Sequence, residues 1–266
     1  MTKTLASDAP STYDPSQYPP FAVTVDLIIL TVRVNALQVL LIERGEAPFK
    51  GMLALPGGFK RPTESLAEAA NRELLEETGV SAAQLLTQFG AYGDPARDPR
   101  MDVVTVAYLA VLPTIGDTVA GTDAARVELV PVADVLSGAR SVAFDHQKII
   151  EDAVGRLRQE LDGSGIATAF VGPEFTLSEL RAVYEAAWGF RLDSANFRRS
   201  VLKAQGWVVP AGRTAALSPD GGRPGEVYTA GRAWRNGSPI RRDAGGATEQ
   251  RPSLRESSGR RNSRPP

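Results

Sequence analysis

The chain has 266 residues, enough for one large or two ordinary domains, and its 42% apolar content supports a packed core in each. It holds no cysteine and one histidine, His146, which excludes disulfide frameworks, thiolate zinc sites and Cys/His nucleophile pairs. The net charge of -1 conceals 14 Lys+Arg against 22 Asp+Glu in residues 1–164 and 16 against 9 in residues 165–266, so the second part is a candidate to meet a polyanion.

Any metal must therefore sit on oxygen ligands, which suits Mg2+ or Mn2+. No apolar run reaches roughly 18 residues, and Met1 to Pro20 is polar and Pro-rich, a disordered lead without the pattern of a secretory leader. A cytoplasmic protein with no membrane partner is expected.

In chain order, Phe21 to Val34 reads as a buried strand and Leu37 to Ile42 as a second. A loop with Arg44, Gly45 and Pro48 follows. Leu66 to Thr78 has helical spacing, with Leu66, Ala70, Leu74 and Leu75 on or near one face. Thr63 or Ser65 can cap its start and Gly79 ends it. Leu85 to Tyr92, Asp102 to Leu112 and Ala125 to Pro131 read as strands, with a polar, Pro-rich loop from Gly93 to Arg100. Asp145 to Leu161 is a helix, which makes residues 21–162 an α/β sandwich.

Gly163-Ser164-Gly165 is the expected hinge. Beyond it, Thr176 to Gly189 and Asp193 to Gly206 read as two helices. Trp207 to Val209 and Glu226 to Thr229 then form a short β pair around a loop with Arg213 and Arg223. Helix, turn, helix, hairpin over residues 166–230 is the order of a winged helix-turn-helix. Residues 231–266 read as a disordered Arg-rich tail, in which Arg232 to Arg264 supply 9 of the 16 basic residues.

The chemistry is concentrated between Gly58 and Val80. Glu73, Glu76 and Glu77 stand at i, i+3 and i+4, so on a helix their carboxylates converge on one face. Alone they repel; a dication turns them into ligands, and Mg2+ bound by few carboxylates plus phosphates fits a nucleotide diphosphate site. Arg72 and Glu64 can pin loop to helix as an ion pair, and Gly57 and Gly58 let the backbone approach the metal. An acidic amphipathic helix is the blander reading, but the whole spaced pattern arises by chance at a rate on the order of one in ten million.

The segment from Gly58 to Val80 resembles a complete Nudix box. The resemblance implies a Nudix α/β/α sandwich that hydrolyses a nucleoside diphosphate linked to another moiety. By the same likeness Glu73, Glu76 and Glu77 are metal ligands, Glu64 and Arg72 support them, and Glu73 is the first choice of base.

Further segments resemble NrtR-like regulators of NAD metabolism, in which a Nudix domain carries a C-terminal winged helix. They are Gly93-Asp94-Pro95, Arg97-Asp98-Pro99-Arg100, Ala143-Phe144-Asp145-His146, Phe175 to Arg181, Val183-Tyr184-Glu185, Leu192-Asp193, Asn196-Phe197-Arg198-Arg199 and Arg223-Pro224-Gly225. This likeness implies a homodimeric repressor that binds a double-stranded DNA operator and ADP-ribose. Asn196, Arg198, Arg199 and Lys203 on the second helix, with Arg213 and Arg223 in the wing, are the candidate DNA contacts; Phe197, Val201 and Leu202 belong to the core beneath.

Ala195 stands where relatives usually carry a basic residue. Arg44, Arg97 and Arg100, with Gly57 and Gly58, are candidates for binding ADP-ribose, exposed loop charge being the other reading of the arginines. His146 is expected to pack or hydrogen-bond at the domain junction. Because the glutamates are intact, ADP-ribose pyrophosphatase activity is expected beside DNA binding. The alternative is a stand-alone Nudix hydrolase without a DNA role.

Overall fold

The computed structural model describes residues 14–80, 86–115, 124–215, 225–233 and 237–242. Of the lead, residues 14 and 16–20 are exposed and a 3-10 turn lies at Pro15–Gln17, so this part has local structure where disorder was expected.

The first part runs β1 (Ala22–Arg33), β2 (Ala36–Arg44), β3 (Leu53–Ala54), β4 (Gly57–Phe59), α1 (Leu66–Thr78), β5 (Thr87–Tyr92), β6 (Val103–Val111), β7 (Ala124–Pro131), α2 (Val132–Leu136) and α3 (His146–Gly163). One mixed sheet has the order β3-β2-β1-β6-β5, with β4 paired to the start of β1 and β7 to β2. β1 and β2 form a hairpin through Val34 and Asn35, both at positive φ, the hand that matches strand twist. β1 then lies parallel to β6, with Val25 opposite Val106. It is flanked on both sides, which is why Leu27 to Leu30 form a continuous fully buried run.

Alternate residues of β1 serve opposite faces. Val25, Leu27 and Ile29 pack with Ala69, Ala70 and Leu74 of α1. Ile28 and Leu30 pack with Ile149, Ile150, Val154 and Leu157 of α3. The result is helix, sheet, helix, the sandwich the sequence pointed to. Leu75 is a correction: it is 58% exposed, because the face of α1 turned inward carries Glu73 and Glu77 instead.

The second part runs β8 (Phe175–Thr176), α4 (Leu177–Trp188), α5 (Ser194–Lys203), β9 (Val208–Thr214) and β10 (Glu226–Ala230), the strands ordered β8-β10-β9. Thr176 and Glu179 form a capping box at the start of α4, and Asp193 Oδ1 accepts from Asn196 N at the start of α5. α5 stops at Lys203 rather than at Gly206, and β9 extends past Val209. Leu202 is exposed, against the expectation that it lies in the core, while Phe197 and Val201 are buried as read.

The join between the parts is packed rather than free. Ser164 N donates to Glu160 O at 2.7 Å, a 3-10 turn at Ile166–Phe170 follows, and Ala167 and Phe170 are buried. The core against α3 continues through Phe170, Leu180 and Tyr184 to Phe197, Val201 and Trp207. Arg158 Nε of α3 donates to Ala187 O of α4 at 2.8 Å. Gly163 to Gly165 therefore do not act as a loose hinge: apolar side chains on both sides of them share one interior.

The expected tail also begins later than 231. Ser238 and Ile240 are buried, and Tyr184 and Ser238 share a hydroxyl hydrogen bond at 2.8 Å. Trp207 Nε1 donates to Gly237 O at 3.0 Å, and Arg242 N to Asp162 Oδ1 at 2.9 Å. Polar composition hid two buried side chains. Residues from 243 onward lie outside the described residues.

Because Leu157 is fully buried in the shared core, Leu157→Ala should cost about 2–5 kcal/mol. Urea unfolding followed by tryptophan fluorescence, which reports the second part, and by far-UV circular dichroism should give one shared midpoint, lowered together. Two separated midpoints contradict a common core.

Candidate functional site

The glutamate site is built on α1 and on the turn from β4. Ser65 is the N-cap: its hydroxyl accepts from Glu68 N, and Glu68 Oε2 accepts from Ser65 N at 2.7 Å. Gly79 closes the helix in the left-handed conformation, with φ 68°. These caps set the rotation that turns Glu73 and Glu77 toward the sheet while Glu76 stays at the rim.

Arg72 organises the cluster. Its Nε and Nη2 donate to the two oxygens of Glu64 at 3.0 and 2.6 Å. Its Nη1 donates to Glu73 Oε1 at 2.7 Å and Glu76 Oε2 at 3.0 Å, and Nη2 also reaches Phe59 O at 3.2 Å. The guanidinium thus carries the loop–helix pairing expected with Glu64 and also neutralises two of the three repelling carboxylates. The bond to Arg72, and then that from Arg61 N, draw the Glu64 carboxyl down to about 2. Burial pushes Glu73 above the ordinary carboxyl range, although Arg72 pulls the other way.

Gly57 N donates to Glu77 Oε2 at 2.7 Å. A Cβ on Gly58 would collide with the Glu73 carboxylate, and one on Gly57 with Val25 O. Both glycines are therefore required by close approach, though to carboxylate and strand rather than to an open ligand.

Among the described residues, no three carboxylates or imidazoles gather tightly enough to hold a metal ion as they stand. Arg72 Nη1 lies between Glu73 and Glu76, occupying with its own charge the place between two oxygen donors. The donor set is all oxygen, with Glu73 and Glu77 buried and Glu76 at the rim, chemistry that fits Mg2+ or Mn2+.

The three candidate arginines separate. Arg97 is committed to protein: its side chain is 5% exposed, bonds Asp145 at 2.7 and 2.9 Å, and reaches Asp26 at 3.3 Å. It pins the Gly93–Arg100 loop to the start of α3, which corrects its reading as a free ligand-binding residue. Arg100 is partly exposed, bonded to Asp98 at 2.6 Å, and lies 5.3 Å over the Phe59 ring. Arg44 donates to Pro48 O at 2.8 Å and lies 4.8 Å over the Phe144 ring. Burial, then the nearby Arg100, lower its pKa.

Phe49 packs edge-on to Phe144 at 4.8 Å, and both Phe49 and Phe59 are well exposed. This aromatic wall beside two arginines escaped the sequence reading, because its members come from two separate loops and the end of β4. The one available signal was Phe144, beside Asp145 and His146. His146 is fully enclosed: Nδ1 accepts from Leu55 N at 2.9 Å, and Nε2 faces Asp26 Oδ1 at 3.7 Å. Nδ1 accepts a hydrogen bond and burial lowers the pKa, so it is neutral with its proton on Nε2; the role is structural as expected, but it lies within the first part at the start of α3 and not at the domain junction.

On α5, Asn196, Arg198, Arg199 and Lys203 are all exposed. Arg199 Nη2 donates to Asn196 Oδ1 at 2.7 Å, and Arg198 reaches Glu226 of β10 at 3.6 Å. Arg213 on β9 pairs with Glu174. Arg223 lies outside the described residues.

The NUDIX domain family matches residues 20–153, and the NrtR DNA-binding winged helix domain family matches residues 167–230. The chain is 33% identical over 218 residues to the ADPR responsive transcriptional repressor NtrR of Acinetobacter baylyi, covering 81% of this chain and 84% of that protein. Shewanella oneidensis NrtR complexed with a 27mer DNA superposes with a TM-score of 0.66 at 32% identity, over 80% of this chain and 96% of that one. The NUDIX domain of the same Shewanella protein, complexed with ADP ribose, gives 0.50 at 36% identity, over 55% and 94%.

Since the folded Glu64 value is depressed, its contribution to stability is present above the ordinary 4.5 and is lost as pH falls toward about 2. The difference in unfolding midpoint between wild type and Glu64→Gln should be steady above about pH 5 and close over that window. Thermal melts across pH 2–7 check this; a pH-independent difference contradicts it.

Proposed function

The chain belongs to the Nudix superfamily and, within it, to the NrtR-like regulators with a C-terminal winged helix; from that premise we propose that it is an ADP-ribose-responsive transcriptional repressor that retains metal-dependent hydrolysis. One observation carries the reading: the sheet that bears the glutamate helix on one face packs α3 on the other, and that second core continues unbroken through α3 to the core beneath α5. A ligand held by the first part therefore bears on the helix presented to DNA through the sheet and α3.

ADP-ribose is read into the space between the glutamate cluster and the aromatic wall. The partly exposed Arg100 suits a phosphate, and Phe49, Phe59 and Phe144 offer faces to a nucleoside. Bound Mg2+ or Mn2+ would polarise the phosphoryl oxygens and lower the pKa of a water. Glu73 is the base: it is buried beneath the site, and Arg72 holds its carboxylate in place. Glu76 and Glu77 complete the acidic face, and Glu64 fixes Arg72. Cleavage of the diphosphate by water yields AMP and ribose 5-phosphate.

DNA binding is assigned to α5 and the β9–β10 hairpin, with a homodimer reading paired half-sites. ADP-ribose weakens that binding if it prefers the state of α3 that DNA does not. The contacts that carry this lie at the two ends of α3: Arg97 on Asp145, and Arg158 on Ala187.

Two measurements test the proposal. Glu73→Gln with Glu76→Gln should lower AMP release from ADP-ribose with Mg2+ or Mn2+ by at least about 100-fold while DNA binding persists. Absence of AMP release by the wild type sinks the enzymatic part. For the regulator, saturating ADP-ribose should raise the Kd for promoter DNA of NAD-biosynthesis genes by about 5-fold or more, most cleanly in the same double variant. An unchanged Kd removes the coupling, and no binding at ~50 mM salt removes the repressor.

A further inference from the structure

Residues 237–242 form a strap that lies beyond the winged helix matched at 167–230. It is held at three points on two parts of the fold, twice through its backbone and once through the Ser238 side chain. Trp207 Nε1 and the Tyr184 hydroxyl bind Gly237 O and Ser238 Oγ, and Asp162 at the end of α3 takes Arg242 N. Ser238 Oγ accepts from Ile240 N at 3.1 Å and donates to Ile240 O at 2.9 Å, closing a tight turn, and Ile240 is buried.

This places the strap beside α5. Phe197 and Val201 point α5 into the core, leaving it two flanks. Arg198 occupies one flank and reaches Glu226 of the hairpin. Asn196 and Ser200 lie toward the other and line a groove of about 430 Å³ whose far wall is Pro239, Ile240 and Arg241. The hairpin and the strap therefore bracket the helix from opposite sides.

The groove is also lined by Arg191 and Arg199. Its carboxylate, Asp193, is spent on capping α5, and Arg191 is paired with Glu185 at 3.0 Å. Arg241 is exposed and, among the described residues, has no ion-pair partner. A cation on an anchored backbone, next to a helix that enters DNA, loses little freedom on meeting an anion.

We propose that the strap is a second wing, and that Arg241 contacts a backbone phosphate of the bound duplex on the side of α5 opposite the β9–β10 hairpin. The proposal rests on the DNA-binding reading above. Phosphate contacts release counterions whatever the base sequence, so the contribution of Arg241 is general to duplexes and appears in the salt dependence of binding.

The test uses the full chain and two fluorescein-labelled duplexes, one selected by the wild type from a random pool and one of random sequence. Anisotropy titrations across salt concentration give the slope of log Kd against log salt. Arg241→Ala should reduce the magnitude of that slope by about 0.9 on both duplexes. Arg241→Lys should restore most of it, since a point charge suffices for a phosphate. Thermal midpoints should match the wild type, because the Arg241 side chain is exposed.

An Arg241→Ala slope equal to the wild type's, while Arg199→Ala lowers it, overturns the second wing and leaves the repressor reading intact. A wild type that binds neither duplex overturns both.

Discussion

Helix α3 is the element on which both parts of the molecule pack. Most helical stability in proteins comes from burying an apolar face, and α3 buries such a stripe along its length. Ile149, Ile150, Val154, Leu157 and Leu161 are all essentially inaccessible, some packed beneath the sheet and some against the winged helix. Each such side chain contributes about 1.5–3 kcal/mol relative to exposure, as an upper estimate. Two domains that would otherwise be linked by a flexible tether instead share one interior, and the geometry between them is part of the fold.

The second constraint is electrostatic. Like charges at helical spacing repel, more so when partly buried, and here Arg72 supplies the balancing cation from within the same helix. The sheet side of the site is equally tied, with Arg97 held by Asp26 and Asp145, and with Glu77 receiving Gly57 N. The acidic face is thus preorganised by arginines that already hold it, and binding a diphosphate means exchanging some of these partners rather than filling a prepared hole.

Much of this was legible in the sequence, and the parts that were not share a cause. Strands such as Ala22–Arg33 and the helix Leu66–Thr78 declare themselves by local periodicity, and the capped helices of the second part by their Thr, Asp and Gly punctuation. The pairing of Arg72 with Glu64 was readable because it is nearly local. The commitment of Arg97 to Asp26 and Asp145 was not, since partners 71 and 48 residues away leave no pattern in the chain. The same holds for the Phe49, Phe59 and Phe144 wall. The late-starting tail failed for a compositional reason: in a stretch rich in Gly, Ser, Pro and Arg, one serine and one isoleucine find buried partners, and composition averages them away.

The strap also changes where the molecule can be cut. Ending the chain at Ala230, the last residue of β10, looks natural from strand boundaries. It removes the acceptor of the Trp207 indole N–H and the partner of the Tyr184 hydroxyl, and uncovers the apolar surface against Ile240. Each stranded polar group costs about 1–3 kcal/mol if it remains buried, and the bared surface invites self-association. The unit that folds is thus longer than the unit that sequence families delimit, and a chain trimmed to the latter is a different and stickier protein.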